Sequence, residues 1–106
     1  MTDHPLDALA ATIAARKSAD PAASYTAKLF AKGRNKIAQK VGEEAVELAI
    51  AACAEPDKIV PESADLLYHV LVLWADAGIS PDAVWAELAA RVGTSGLEEK
   101  AKRPKN

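Results

Sequence analysis

The chain has 106 residues, of which half are hydrophobic and 5% aromatic, and its formal net charge is −2. This length fits a single domain, and so large an apolar fraction argues against a disordered chain. The slightly acidic balance argues against a general nucleic-acid binder. The sequence has neither a signal-peptide pattern nor an apolar run long enough for a bilayer, and its lone cysteine fits a reducing compartment. We therefore expect a cytoplasmic protein that binds neither nucleic acid nor membrane.

Capping residues and a 3.6-residue apolar period predict an all-α fold without strands. Ser24, Asn35 and Ser80 are expected to cap the starts of three helices. We predict an up-and-down bundle of about four to five helices in residues 1–93, followed by a flexible basic tail at 94–106. The predicted helices cover approximately residues 5–17, 25–32, 35–54, 61–77 and 81–92.

Two of these helices have more apolar surface than one chain can cover. The helix at 61–77 is apolar in nearly every direction, which is typical of an interior helix, and the helix at 35–54 is expected to be buried over most of its circumference. A second copy packed around a two-fold axis would cover the remaining surface, so we predict a homodimer. The side chains expected in the core or the dimer interface include Val46, Ile50, Cys53, Leu67, Trp74 and Trp85.

Acidic residues lie on both of these helices at a spacing of one turn. Glu44 and Glu47 share one face of the first helix, and Glu62 and Asp65 share one face of the second. The segment between the pairs is long enough for the chain to reverse, so four carboxylates would meet, with Glu43 beside them. A divalent cation would remove their mutual repulsion, and oxygen ligands suit Mg²⁺ or Mn²⁺.

The two acidic pairs differ in how well an ordinary surface role explains them. On the first helix, Lys36 and Lys40 could neutralise Glu43 and Glu44, so this strip alone could be a solvated face. On the second helix the acids interrupt an otherwise apolar surface, where an isolated charge is costly. The second pair is therefore the stronger indication of a metal site.

The order Glu44-x-x-Glu47 and then Glu62-x-x-Asp65 resembles the metal motif of the all-alpha nucleotide pyrophosphohydrolases. Three further stretches indicate which family within this superfamily the chain resembles. They begin at residues 24, 36 and 64 and read Ser-Tyr-Thr-Ala-Lys-Leu-Phe, Lys-Ile-Ala-Gln-Lys-Val-Gly-Glu-Glu-Ala and Ala-Asp-Leu-Leu-Tyr-His. With them the chain resembles the phosphoribosyl-ATP pyrophosphohydrolase family over nearly its whole length. This resemblance implies a dimeric enzyme that hydrolyses phosphoribosyl-ATP to phosphoribosyl-AMP and pyrophosphate, the second step of histidine biosynthesis.

Within this interpretation each polar residue has a candidate role. The metal ligands would be Glu44, Glu47, Glu62 and Asp65, and the catalytic group would comprise Glu43, Glu44 and Glu47, with Glu43 orienting or deprotonating the attacking water. His69 would orient Asp65, although it could equally be an interior histidine with satisfied hydrogen bonds. Tyr25 could likewise be only a packed aromatic. The residues expected to contact the substrate are Tyr25, Thr26, Lys28, Arg34, Lys36 and Lys40.

Two other functions fit part of the pattern. One is a housecleaning pyrophosphohydrolase for non-standard nucleoside triphosphates, which would use the same carboxylates. The other is a helical metal-binding or dimerisation module without catalysis. A di-iron bundle would be its best-defined form, but such a site needs Glu-x-x-His pairs that the two acidic motifs do not contain.

Overall fold

The computed structural model describes residues 4–92, which form five α-helices and no strand. Two short 3₁₀ turns, Arg16–Ser18 and Pro56–Lys58, follow the first and third helices. The all-α prediction is confirmed, whereas the predicted tail lies outside the described residues. Within the described part, no helix combines the length and apolar character needed to cross a bilayer. The helices are α1 Pro5–Ala15, α2 Tyr25–Lys32, α3 Arg34–Ala54, α4 Ile59–Ala77 and α5 Pro81–Ala90.

Local capping explains most of these boundaries. The hydroxyls of Ser24 and Ser80 each accept a main-chain N–H bond from the first turn of α2 and α5. The predicted cap at Asn35 is wrong, because Gly33 adopts a positive φ of 94° and so ends α2 and starts α3 in a single residue. Helix α4 begins two residues before Pro61, whose missing N–H is tolerated in a first turn.

Helices α3 and α4 form the antiparallel pair that the rest of the chain packs against. The 3₁₀ turn reverses the chain between them, and Arg34 at the start of α3 accordingly reaches Asp76 near the end of α4. Helix α1 packs on α4, and α2 packs mainly on α3. The buried apolar core joins four helices through Ile13, Leu29, Ile37, Leu71 and Val72.

The single chain covers only part of α3 and α4, as expected for two helices whose remaining apolar surface was predicted to pack against a second copy. The buried residues of α3 are Ile37, Glu44 and Ala51, so only one face of this helix is covered. Periodicity shows which side chains are apolar, but it does not show whether the same chain covers them. Trp74 and Trp85 are half-buried against each other, with ring centroids 5.6 Å apart. Of the side chains predicted for the core or the dimer interface, four are exposed in the single chain: Val46, Ile50, Cys53 and Leu67.

Candidate active site

Three carboxylates from the two long helices converge beside the turn that joins them. Glu44 and Glu47 lie one turn apart on α3, and Glu62 lies in the first turn of α4. One oxygen from each of the three side chains lies within 4.8 Å of the other two. The helical spacing predicted this convergence, since it places each pair on one face and the turn brings the faces together. We refer to Glu44, Glu47 and Glu62 as the acid cluster.

Glu62 has the least favourable surroundings in the acid cluster. Its Oε1 atom is buried and has no hydrogen-bond partner. Burial raises the pKa of the Glu62 carboxyl, and the nearby charges of Glu47, Asp65 and Glu44 raise it further. A buried oxygen without a donor is unusual in a folded chain and calls for a ligand or a proton. A cation bound by the cluster would satisfy this oxygen and favour the ionised carboxylate.

Lys40 provides the positive charge that the chain itself places at the cluster. Its Nζ lies 3.6 Å from Glu44 Oε2 and 3.2 Å from Glu43 Oε1, and Glu44 is 7% exposed. The hydrogen bond to Glu43 is the main cause that raises the pKa of Lys40. Lys40 therefore offsets part of the charge on Glu44, whereas the buried Glu62 oxygen has no such partner.

Glu43 lies on the solvent side of α3, outside the acid cluster. Gln39 Nε2 donates to Glu43 Oε2 over 2.7 Å, while Lys40 contacts the other carboxylate oxygen. These two hydrogen bonds, first that of Gln39 and then that of Lys40, hold the pKa of Glu43 below its usual range. A lowered pKa makes a carboxylate a weaker base, although it still accepts hydrogen bonds from water.

Asp65 lies one turn after Glu62, next to the acid cluster rather than within it. Its carboxylate is exposed, and the set of oxygens that lie within 4.8 Å of one another comprises those of Glu44, Glu47 and Glu62 alone among the described residues. Its charge nonetheless acts on Glu62, whose pKa it helps to raise. The structure thus brings three of the four predicted ligands together and places the fourth beside them.

A polar and aromatic group joins the start of α2 to α4, one turn beyond Asp65. The Tyr25 hydroxyl lies 2.9 Å from His69 Nε2, and His69 Nδ1 lies 2.8 Å from the main-chain oxygen of Asp65. Because a carbonyl oxygen only accepts, Nδ1 bears the hydrogen, and in the neutral ring Nε2 accepts from Tyr25. His69 therefore contacts the backbone of Asp65, whereas the predicted role required the carboxylate. Beside it, Thr26 Oγ1 is hydrogen-bonded to the Tyr68 hydroxyl.

The remaining basic residues are distributed along the helix pair. Lys36 is half-buried one turn before Lys40, and its charge acts on Glu43. Lys28 is exposed on α2. Arg34 Nε donates to Asp76 Oδ2 over 2.6 Å, and Asp76 lies about 16 Å along α4 from Asp65 at 1.5 Å per residue. The structure thus separates Arg34 from the acid cluster and leaves Lys40 and Lys36 near it.

Sequence reasoning missed two residues at this site. Gln39 contacts Glu43 across one helical turn, and the spacing of four residues could have predicted this hydrogen bond. Tyr68 bonds Thr26 across two helices, and only the relative placement of α2 and α4 reveals that contact. A half-buried tyrosine hydroxyl usually finds a partner, so the tyrosine beside His69 could have been considered.

Known proteins match this chain over most of its length. The family described as phosphoribosyl-ATP pyrophosphohydrolase matches residues 6–92. The chain is 65% identical over 101 residues to the phosphoribosyl-ATP pyrophosphatase of Rhodospirillum rubrum, covering 94% of this chain and 86% of the relative. It is 63% identical over 101 residues to the phosphoribosyl-ATP pyrophosphatase of Paramagnetospirillum magneticum, covering 94% of this chain and 93% of the relative. A relative with the same description from Azospirillum brasilense is 63% identical over 99 residues, covering 92% and 89%.

Proposed function

Since the chain belongs to the phosphoribosyl-ATP pyrophosphohydrolase family, we propose that it hydrolyses the α–β phosphoanhydride of phosphoribosyl-ATP in histidine biosynthesis, using a divalent cation held by the acid cluster. The products are phosphoribosyl-AMP and pyrophosphate. The observation that supports the site most directly is the buried, unpartnered Oε1 of Glu62 among two further carboxylates. The lone cysteine and the biosynthetic role together support a cytoplasmic location.

The donor set fits Mg²⁺, with Mn²⁺ as an alternative. Glu44, Glu47 and Glu62 offer carboxylate oxygens at one place, and the exposed Asp65 lies close enough to add another. Zinc sites usually contain histidine or cysteine, and His69 uses both ring nitrogens in other contacts. When bound, Mg²⁺ neutralises charge on the phosphates and makes water a stronger acid.

The chain's own residues would orient the substrate and the attacking water. Lys40, beside Glu44, is placed to bind a phosphate oxygen, and Lys36 adds positive charge one turn away. Glu43 is ionised and exposed next to the cluster, so it can accept a hydrogen bond from water. Because its pKa is lowered, we assign it the orientation of the water rather than its deprotonation.

A homodimer is the second part of the proposal, and uncovered apolar side chains support it. On α3 the exposed fractions are 58% for Val46 and 57% for Ile50, and on α4 they are 78% for Val60 and 47% for Leu67. On the surface of a soluble protein, several exposed apolar side chains on neighbouring helices usually mark a site of contact with another protein. Light scattering should give twice the 11.2 kDa mass of one chain, and an active monomer at micromolar concentration would refute the dimer.

The activity is tested by pyrophosphate release from phosphoribosyl-ATP, with ATP and other nucleoside triphosphates as comparison substrates. We expect preference for phosphoribosyl-ATP, loss of turnover in EDTA, and recovery on addition of Mg²⁺ or Mn²⁺. Equal turnover of ordinary triphosphates would instead favour the housecleaning activity. Full turnover in EDTA would contradict the role of the acid cluster, and release of no pyrophosphate from any nucleotide would favour the non-catalytic module.

A further inference from the structure

Tyr25 combines a fixed hydroxyl with a ring that remains half exposed. It is the first residue of α2, and 51% of its surface is accessible. The hydrogen bond to His69 fixes the hydroxyl end, and His69 itself is only 7% exposed. The ring of Tyr68 lies nearly parallel to that of Tyr25, with 6.3 Å between centroids and 24° between planes. Because the hydrogen bond to His69 and the contact with the Tyr68 ring already fix the Tyr25 ring, it loses little conformational freedom when a ligand stacks on it.

Tyr25 is also within electrostatic reach of the groups that would bind phosphates. The charges of Lys40, Glu44 and Glu43 all act on its hydroxyl, whose pKa is raised chiefly by burial. Its partner His69 lies seven residues beyond Glu62 on α4, which is about 10 Å along the helix. A nucleotide can bridge such a span between its base and its phosphates.

On this basis, and resting on the proposed function, we infer that Tyr25 is the stacking surface for the adenine of the substrate, positioned by His69 and Tyr68. Stacking of a base on an aromatic side chain is sensitive to the ring and indifferent to the hydroxyl. The hydroxyl serves to orient the ring, through the His69 bond. Tyr25 would then contribute affinity for the base, while the acid cluster and Lys40 act on the phosphates.

Two substitutions separate the ring from the hydroxyl. Tyr25→Leu removes the ring and should raise KM for phosphoribosyl-ATP by about 5-fold to 150-fold with a much smaller change in kcat, the range that corresponds to losing one stacked base. Tyr25→Phe retains the ring and should change KM much less. Inorganic tripolyphosphate has no base, so its inhibition constant should be the same for the wild-type chain and both variants.

Several results would overturn the inference. One is a KM for Tyr25→Leu close to that of the wild-type chain, and another is an equal loss in Tyr25→Leu and Tyr25→Phe. A tripolyphosphate inhibition constant that rises together with KM would assign Tyr25 to the phosphate site instead. Circular dichroism spectra of both variants verify that the helices are retained.

The wild-type chain provides a second measurement that does not depend on a variant folding. With Mg²⁺ present, calorimetry should show that ATP binds more tightly than CTP, and CTP more tightly than tripolyphosphate, because stacking area decreases in that order. Equal affinities for ATP and tripolyphosphate would overturn the inference. Since binding is measured without turnover, a chain that binds ATP in this order but hydrolyses no phosphoribosyl-ATP would refute the proposed function and leave the stacking role intact.

Discussion

The two ends of the α3–α4 pair differ in how their charges are arranged: opposite charges meet at one end, and like charges meet near the other. At the far end, Arg34 meets Asp76 at 2.6 Å, so opposite charges neutralise each other. Near the connecting turn, Glu44, Glu47 and Glu62 bring three carboxylates together, and one buried oxygen has no donor. The first arrangement is complete within the chain, whereas the second leaves like charges together, which a bound cation would neutralise. We call the first the paired end, and we propose that its charges serve stability whereas those of the acid cluster serve function.

The largest effect should follow from neutralising the carboxylates near the turn. Glu47→Gln and Asp65→Asn retain size and remove charge, so we expect each to lower kcat/KM by more than about 100-fold, the upper end of losses for residues that only support metal ligands. In EDTA both variants should be at least as stable as the wild-type chain, because like charges are removed. Steady-state kinetics and thermal melting measure the two effects. Ordinary activity in both variants would refute the assignment of these carboxylates.

A smaller effect concerns the pH dependence of stability without metal. The pKa of Glu62 is raised in the folded chain, chiefly by burial and then by Glu47 and Asp65. Between the ordinary pKa of glutamic acid and this raised value, the folded chain retains a proton that the unfolded chain has lost, so lowering the pH through this window stabilises the fold. We therefore expect the wild-type chain in EDTA to gain stability relative to Glu62→Gln as the pH falls.

Thermal melting of both proteins at a series of pH values tests this expectation. The lowered pKa of Glu43 acts in the opposite direction, but it is present in both proteins and largely cancels in their difference. A constant difference between the two proteins across the window would contradict the raised pKa. A difference that changes in the opposite direction would do so as well. Saturating Mg²⁺ should favour the ionised carboxylate and so reverse the trend.

The smallest effect is expected at the paired end. Asp76→Asn is chemically the same change as Asp65→Asn, made on the same helix but away from the acid cluster. The pair is partly exposed, so we expect a loss of only about 0.2–1 kcal/mol in the free energy of unfolding and kcat/KM within about two-fold of the wild-type value. Urea unfolding and steady-state kinetics test the two values. A loss of activity as large as that in Asp65→Asn would contradict the assignment of the Arg34–Asp76 pair to stability alone.

The structural features that the sequence could predict are those that depend on residues close to one another along the chain. Ser24 and Ser80 were recognisable as caps because a cap requires only the next turn of the chain. The convergence of Glu44 and Glu47 with Glu62 followed from helical spacing and one reversal. These features depend on neighbours in sequence, so sequence reasoning reached them.

Other features depend on how the helices are placed in space. Arg34 was expected at the phosphates, but the crossing of α3 and α4 brings it to Asp76. The bond between Tyr25 and His69 links residues 44 positions apart, which no local pattern reveals. The same limit applies to the apolar stripes of α3, because the sequence alone does not show which of them, such as the one with the exposed Val46, the chain leaves uncovered.

The central claim, that the acid cluster binds the catalytic cation, is tested most directly by Mn²⁺ binding measured by electron paramagnetic resonance. We predict saturable binding to the wild-type chain, similar binding to Asp76→Asn, and at least about ten-fold weaker binding to Glu62→Gln, since this substitution removes the carboxylate charge at the orphaned oxygen. Addition of Mg²⁺ should displace the bound Mn²⁺. Equal Mn²⁺ affinity in the wild-type chain and Glu62→Gln, or no saturable binding to the wild-type chain, would contradict the account.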